Sequence, residues 1–303
     1  MVSVLVTGAN GYIGFETARQ LRQAGHTVYG LIRNSDHENK LLVEEIIPVI
    51  GDYSDFKWLD SIVDQISTVI DHVVVLGASD HSPPKKNVIE KLQKAGKQTG
   101  VYKRYVMTSG CLVYGDQYGD KVLDENSPAL SKEFKWRSDF ESYVCDEKQH
   151  SNVNGVVVRP NWVYGLSFGC YITDWFGGTK DGKIPIAGKP DKKWSWSHVS
   201  DLARAYVLIV EAARSLVAGE VFNVGDDSRF SYEEIRTAFA RAAGITGEKV
   251  YVEAEGFMKF FEHDMLISSE KIKRTLGWKP HHLSPLDDIQ LLYKAFRASQ
   301  ATR

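Results

Sequence analysis

A chain of 303 residues with 43% hydrophobic and 25% charged side chains can bury one large α/β core and an appended lobe. Its net charge of -2 removes the electrostatic case for nucleic acid or an anionic membrane as partner, and no apolar run nears the roughly 20 residues of a membrane span. Cys111, Cys145 and Cys170 are odd in number and outside CxxC spacing, against a disulfide scaffold or a zinc site. Met1–Val6 lacks the basic flank and cleavage site of a secretory leader, so a cytoplasmic protein is expected.

In chain order, short β-branched runs alternate with longer amphipathic ones, the pattern of a parallel sheet covered by helices. Strands are expected at Val2–Thr7, Thr27–Leu31, Ile47–Ile50, His72–Leu76, Arg104–Thr108 and Gly155–Arg159. Helices fill the gaps at Gly11–Gln23, Phe56–Ile66, Lys86–Thr99 and Phe134–His150, and Ser200–Ala213 precedes a short strand at Glu220–Val224. Strands wound with helices on both faces make an α/β, doubly wound parallel Rossmann sheet. After Tyr164 the composition shifts to glycines, lysines and aromatics. The expected division is 1–164 plus 194–225 for the Rossmann domain and 165–193 plus 226–303 for a smaller C-terminal substrate lobe. Ser109, Trp162 and Tyr164 would line the cleft between them.

The stretch Gly8-Ala9-Asn10-Gly11-Tyr12-Ile13-Gly14 lies between the first strand and the first helix. Gly8 suits a tight turn, Gly11 lets backbone approach a pyrophosphate, and Gly14 lets the helix pack on the sheet; helix N–H groups then bind the anion. A glycine-rich turn without ligand is the plainer alternative, but the full strand–turn–helix context favours cofactor binding. The second strand ends Leu31-Ile32-Arg33. Ile32 stands where an NAD site places an acid for the ribose hydroxyl, and Arg33 can clamp a 2′-phosphate, so NADP is the expected cofactor. Asp52 could accept from the adenine amino group, and Asp55 is the expected N-cap of the next helix.

With these residues in place the chain resembles the extended short-chain dehydrogenase/reductases of the NAD-dependent epimerase/dehydratase kind. The resemblance runs through Leu76-Gly77-Ala78, Thr108-Ser109-Gly110, Val113-Tyr114-Gly115, Arg159-Pro160-Asn161-Trp162-Val163-Tyr164-Gly165, Ser197-His198-Val199-Ser200-Asp201, Phe222-Asn223-Val224-Gly225 and Leu276-Gly277-Trp278-Lys279-Pro280. It implies that Leu76, Gly77 and Ala78 line the cofactor's ribose–pyrophosphate, that Pro160 packs on the nicotinamide and that the Val163 backbone bonds its carboxamide. His198 and Asp201 would brace the junction of the lobes.

The family's chemistry uses a Ser/Thr hydroxyl and a Tyr-x-x-x-Lys helix, in which lysine lowers the tyrosine's pKa. Here Tyr143 is followed four residues on by Glu147, and Lys148 at i+5 is turned about 140° away. The family helix continues Lys-x-x-x-Glu; Glu141, 18 residues before Arg159, takes the glutamate role. Counting back puts Arg137 at the lysine position and Glu133 at the tyrosine position, with Tyr143 about 15 Å further along at 1.5 Å per residue. Arg137 could bind ribose hydroxyls but cannot serve as a general base. Ser109, Glu133 and Arg137 are therefore the candidate catalytic residues, and Gly110 stands where the family's hydroxyl is expected.

Other features have plainer readings. His281-His282 has no carboxylate or cysteine at ligand spacing, so no metal is expected there and a solvated loop is. Lys85-Lys86 could start a helix near phosphates, though a solvated pair is the simpler expectation. Trp194 and Trp196 either stack on substrate or seal the lobes, and Tyr171, Trp175 and Phe176 fit an apolar helical face. Three functions stay open: an NADP(H)-dependent oxidoreductase or epimerase acting on a small carbonyl or hydroxyl substrate of apolar or aromatic character; a redox-neutral isomerase or lyase; and a non-enzymatic NADP(H)-binding sensor. A homodimer is compatible with each.

Overall fold

The computed structural model describes residues 1–73, 82–116, 120–166 and 171–301. Seven strands form one parallel sheet: β1 (Ser3–Thr7), β2 (Thr27–Ile32), β3 (Ile47–Ile50), β4 (Thr68–Asp71), β5 (Lys103–Thr108), β6 (Val153–Pro160) and β7 (Glu220–Val224). Their order is β7-β6-β5-β4-β1-β2-β3, so chain direction across the sheet reverses between β1 and β4. Open α/β sheets form their ligand crevice at such a reversal, beyond the carboxyl ends of the strands.

The apolar runs are continuous because both sheet faces are covered. In β1, Val4 and Val6 pack with Ala18 and Leu21 of α1 (Tyr12–Gln23) and with Leu202, Ala205 and Ile209 of a helix at Val199–Glu211. Leu5 points the other way, toward Val88, Ile89 and Leu92 of α2 (Ser82–Thr99) and Phe140 and Val144 of α3 (Lys135–Cys145). The helix at Val199–Glu211, α4, starts at His198, whose ring accepts the Ser200 N–H.

Several elements differ from the sequence expectation. The fourth strand is Thr68–Asp71, not His72–Leu76; residues 74–76 lie outside the described residues. Thr68–Asp71 is a strand despite its polar ends because Val4–Val6 and Arg104–Met107 pair with it on either side. The expected helix at Phe56–Ile66 is a single turn, Lys57–Asp60, and Asp55 bonds the Lys57 N–H without being the N-cap, which is Phe56. Glu220–Val224 joins the sheet as its seventh strand beside β6. Among the described residues no helix is long and apolar enough to cross a membrane.

A second core of aromatics stands beside the sheet. Ile184–Ala187 pairs with Lys249–Val252, while α5 (Tyr232–Ala242) and α6 (Ile289–Ala301) pack over Trp175 and Phe176. Trp194 and Trp196 are fully buried in this core, with rings 5.9 Å apart, so they seal the interior and do not face the cleft.

Under the reversal point lies a buried ion pair. Asp71 accepts Lys85 Nζ at 2.8 Å, Tyr105 Oη at 2.5 Å, Thr7 Oγ1 at 2.9 Å and the Val73 N–H at 3.0 Å. Lys85 is thus a core group and not a solvated surface lysine; Lys86 rests on the Tyr143 ring. Burial pushes the Asp71 pKa up, but the Lys85 charge and these hydrogen bonds outweigh it and hold the carboxyl below its usual range. Because its folded pKa is depressed, this group's stabilisation is present above the unfolded value near ~3.9 and is lost as pH falls through the folded one. Lys85→Met should cost about 3–5 kcal/mol by leaving Asp71 uncompensated. Urea unfolding at neutral pH measures it, and the deficit against wild type should shrink in acid.

Candidate functional site

The glycine turn sits at the reversal point and is built for close backbone approach. Gly8 has φ +62, where a side chain is strained, and the Gly11 N–H bonds the Gly8 carbonyl at 2.9 Å. A Cβ on Gly14 would lie 2.2 Å from the Gly8 oxygen. Helix α1 begins at an N-cap, Gly11, with no side-chain cap and no acid in its first turn, so its leading N–H groups remain available to an anion. These features fit a dinucleotide pyrophosphate.

A cleft of about 940 Å³ runs from this turn across the ends of the central strands. Gly8, Asn10, Gly11, Tyr12, Ile13 and Gly14 line one stretch, and Arg33 and Asp52 line the end beyond β2 and β3. Ile32 is buried while Arg33 is exposed at the cleft edge. Asp52 accepts the Ser54 N–H at 2.7 Å together with the Ser54 hydroxyl, and this bonding holds its carboxyl below the usual range. Toward the other end lie Ser109, Gly110, Arg137, Pro160, Trp162 and Val163. Tyr12 ties the two halves by donating to the Gly165 carbonyl at 2.6 Å. Leu76, Gly77 and Ala78 lie outside the described residues. Tyr164 is buried and does not line the cleft, in contrast to the sequence expectation.

One buried network sets the register of α3. Arg159 Nε lies 3.2 and 3.1 Å from the two Glu141 carboxylate oxygens, and Nη2 lies 2.5 Å from Oε2. Arg159 Nη1 donates to Tyr114 Oη at 2.9 Å, which also contacts Asn223 Oδ1 at 2.9 Å. Ser109 donates its hydroxyl to Glu141. Burial opposes the Arg159 charge, but Glu141 more than restores it and the guanidinium pKa is raised.

From this anchor Arg137, one turn back, reaches into the cleft over Gly110: a Cβ there would sit 3.2 Å from its Nη1. Burial lowers the Arg137 pKa, with the Glu141 charge opposing. Tyr143 is on another face, stacked on Phe140 at 5.8 Å and edge-on to His150 at 4.5 Å. The structure corrects the candidacy of Glu133. It precedes α3, is exposed, accepts from the Ser131 hydroxyl at 3.2 Å and lines no part of the cleft. The helix begins only at Lys135, so counting four residues per step beyond Arg137 leaves the helical surface.

Sequence reasoning missed His72. Its Nδ1 lies 2.7 Å from Thr108 Oγ1, which also contacts Tyr206 Oη at 2.7 Å, and His72 lines the cleft beside the glycine turn. Burial pushes its pKa down to about 3, so the ring is neutral at physiological pH. No local motif marks it, because its partners lie 36 or more residues away.

His282 is partly exposed but is not a free surface side chain. Asp201 accepts both the His281 and His282 N–H groups and lies 3.0 Å from His282 Nδ1, while the His198 and His282 rings stack 3.5 Å apart at 12°. These three side chains bring potential ligand atoms within 4.8 Å of one another. Parallel stacked rings send their lone pairs side by side instead of toward one point, which suits a clamp between α4 and the C-terminal segment.

Residues 4–225 match the NAD dependent epimerase/dehydratase family. The chain belongs to that family. It is 26% identical over 322 residues to the UDP-glucose 4-epimerase of Lacticaseibacillus casei, covering 95% of this chain and 93% of that one. It is 25% identical over 297 residues to an uncharacterized protein of Schizosaccharomyces pombe, covering 94% and 97%. The structure of UDP-glucose 4-epimerase from Thermotoga maritima with UDP-glucose matches with a TM-score of 0.77 at 19% identity, covering 98% and 99%. That of dTDP-glucose 4,6-dehydratase from Bacillus anthracis with NAD matches at 0.77 and 18%, covering 99% and 98%. At such identities the structural likeness is one of fold. Within the epimerase/dehydratase family, this member lacks a tyrosine and lysine spaced i, i+4 on α3.

The glycine turn offers a direct check. Gly14→Ala should lower stability by about 1–3 kcal/mol through overpacking against the Gly8 carbonyl. Gly177→Ala, where a Cβ meets nothing within 4 Å, should be nearly neutral. Urea midpoints of the two variants measure the difference.

Proposed function

We propose that this family member is an NADP(H)-dependent oxidoreductase or epimerase acting on a small carbonyl or hydroxyl substrate held in the cleft, without the family's tyrosine acid. The observation that carries the reading is that one continuous cleft joins the uncapped glycine turn, Arg33 and the Pro160–Val163 wall. In this reading the turn at Gly8–Gly14 holds the pyrophosphate, Asp52 and Arg33 take the adenosine end, and Pro160 and Val163 hold the nicotinamide. Residues 165–193 plus 226–303 serve as the substrate lobe. The cofactor, when bound, supplies or takes up hydride. Ser109 donates its hydroxyl hydrogen bond to Glu141, leaving its oxygen lone pairs able to accept from a substrate hydroxyl. Arg137 supplies a fixed positive charge at the same end. A cytosolic setting suits the free thiols of Cys111 and Cys145.

Of the two activities in this reading, the relatives named UDP-glucose 4-epimerase favour the epimerase, the second, in which hydride returns to the same substrate and no net oxidation occurs, over the oxidoreductase, the first. Incubation with carbonyl compounds and with sugar nucleotides separates the two: a lasting change in cofactor absorbance supports the first, and isomerised product without one supports the second.

Two outcomes test the reading in detail. NADPH should bind at least about tenfold more tightly than NADH, since a guanidinium–phosphate contact is worth about 1.5–3 kcal/mol. Arg33→Ala should erase the preference and keep NADH affinity; equal affinities in the wild type, by fluorescence titration, would remove NADP from the proposal. Separately, Tyr143→Phe should change turnover by less than about fivefold, whereas loss of a true general acid costs about 10²–10⁴. Ser109→Ala should fall in that larger range.

A further inference from the structure

We propose that Arg137 forms a carboxylate subsite, so that the small molecule taken by this cleft is a carboxylic acid with an apolar body. The inference rests on the cleft being the substrate site and adds the substrate's chemical class.

Arg137 differs from the other cations withdrawn from water. Among the described residues, the fully buried ones have fixed acceptors: Lys85 has Asp71, Arg159 has Glu141, Lys192 has Asp264, Lys103 has the Val63 and Ile66 carbonyls, and Arg236 has the Trp175 and Gly178 carbonyls. Arg137 is half-buried, and its guanidinium has no hydrogen-bond or ion-pair partner among the described residues. What holds it is aromatic: the guanidinium carbon lies 5.2 Å from the Phe134 and Trp136 ring centroids. Ring faces orient a cation but leave its N–H groups unsatisfied. The nearest acid on its helix, Glu141, is already taken by Arg159 and the Ser109 hydroxyl. Gly110 completes the slot, since a side chain there would press on the guanidinium.

A cation removed from water without a partner is costly, and an anionic ligand offsets that cost. The planar guanidinium matches a carboxylate through two parallel N–H···O bonds. Cofactor phosphates do not meet this need in the proposed pose, because they occupy the glycine turn and the Arg33 end. The other charged side chains of the described cleft lining, Arg33 and Asp52, are at that same end. Around the Arg137 end the lining is mostly apolar, with Leu112, Trp162, Ile172 and Met265; the polar Ser109 and Asn161 there are already bonded, Ser109 to Glu141 and Asn161 to the Met265 carbonyl and the Trp162 N–H. One cation in an apolar chamber recognises one carboxylate on an apolar frame, and benzoate is the simplest probe of that shape.

Titration of the full chain by intrinsic tryptophan fluorescence, with and without saturating NADPH, tests this against benzoate and its neutral counterpart benzamide. Benzoate should bind at least about tenfold more tightly, the scale of one charge-assisted pair. Arg137→Gln should abolish the difference in the cofactor-free titration as well as with NADPH, and Arg137→Lys should restore part of it. Equal affinities for benzoate and benzamide in the wild type would overturn the subsite, whatever the variants do. It would also be overturned if Arg137→Gln weakens NADPH about tenfold or more and spares benzoate, which would make Arg137 a ribose ligand. An Arg137 dependence seen for UDP and not for benzoate would do the same, in favour of a diphosphate. Failure of NADPH to bind would instead sink the dinucleotide reading, and the cofactor-free titration would still decide the subsite.

Discussion

The buried pair between Glu141 and Arg159 governs how this site is arranged. It locks α3 to β6 with the carboxylate held by two nitrogens of one guanidinium, a geometry that tolerates neither sliding nor rotation of the helix. Once Glu141 is pinned, the helical repeat decides the rest. Arg137 comes one turn back into the cleft, and Tyr143 is carried to a different face of the helix, against Phe140 and His150. The pair also absorbs the Ser109 hydroxyl, so the network that supports the helix is continuous with the wall of the cleft.

A second buried charge pair performs a similar service under the glycine turn. Asp71 gathers Lys85, Tyr105, Thr7 and the Val73 backbone, which joins β1, β4, β5 and α2 at the point where strand order reverses. The His72 N–H donates to Thr7 Oγ1, and its neutral ring bonds Thr108 through Nδ1 and leans edge-on against Tyr206, which places a neutral imidazole on the floor of the cleft. Among the described residues, the charges in the cleft without an ion-pair partner are Arg33 and Asp52 at one end and Arg137 at the other.

The doubly wound sheet, the glycine turn and the ends of β2 and β6 were legible in the sequence, because each depends on local pattern: strand runs, glycine spacing, the Ile32–Arg33 step. The register of α3 was legible as well, since Glu141 and Arg159 are separated by a spacing that a helix, a turn and a strand must fill. Illegible were the identity of the fourth strand, where pairing on both sides selected Thr68–Asp71 over a more apolar run, and the fate of Lys85 and His282. Both latter side chains looked solvated because their carboxylate partners are distant in the chain, Lys85 by 14 residues and His282 by 81.

The sequence by itself determined where the backbone must turn tightly and pack closely, since glycine alone tolerates the Gly8 and Gly14 geometry, and that α3 carries Arg137 one helical turn before Glu141. Tertiary structure alone decided which of the charged groups keep a free charge. Glu133, Lys85 and Arg137 are equally plausible as site residues on paper. Folding exposes the first to water, pairs the second with Asp71, and brings the third half-buried over Gly110 with both oxygens of its nearest acid already occupied. Whether a charge is solvated, paired or left open to a ligand depends on the dielectric and partners around it, and long-range packing sets both.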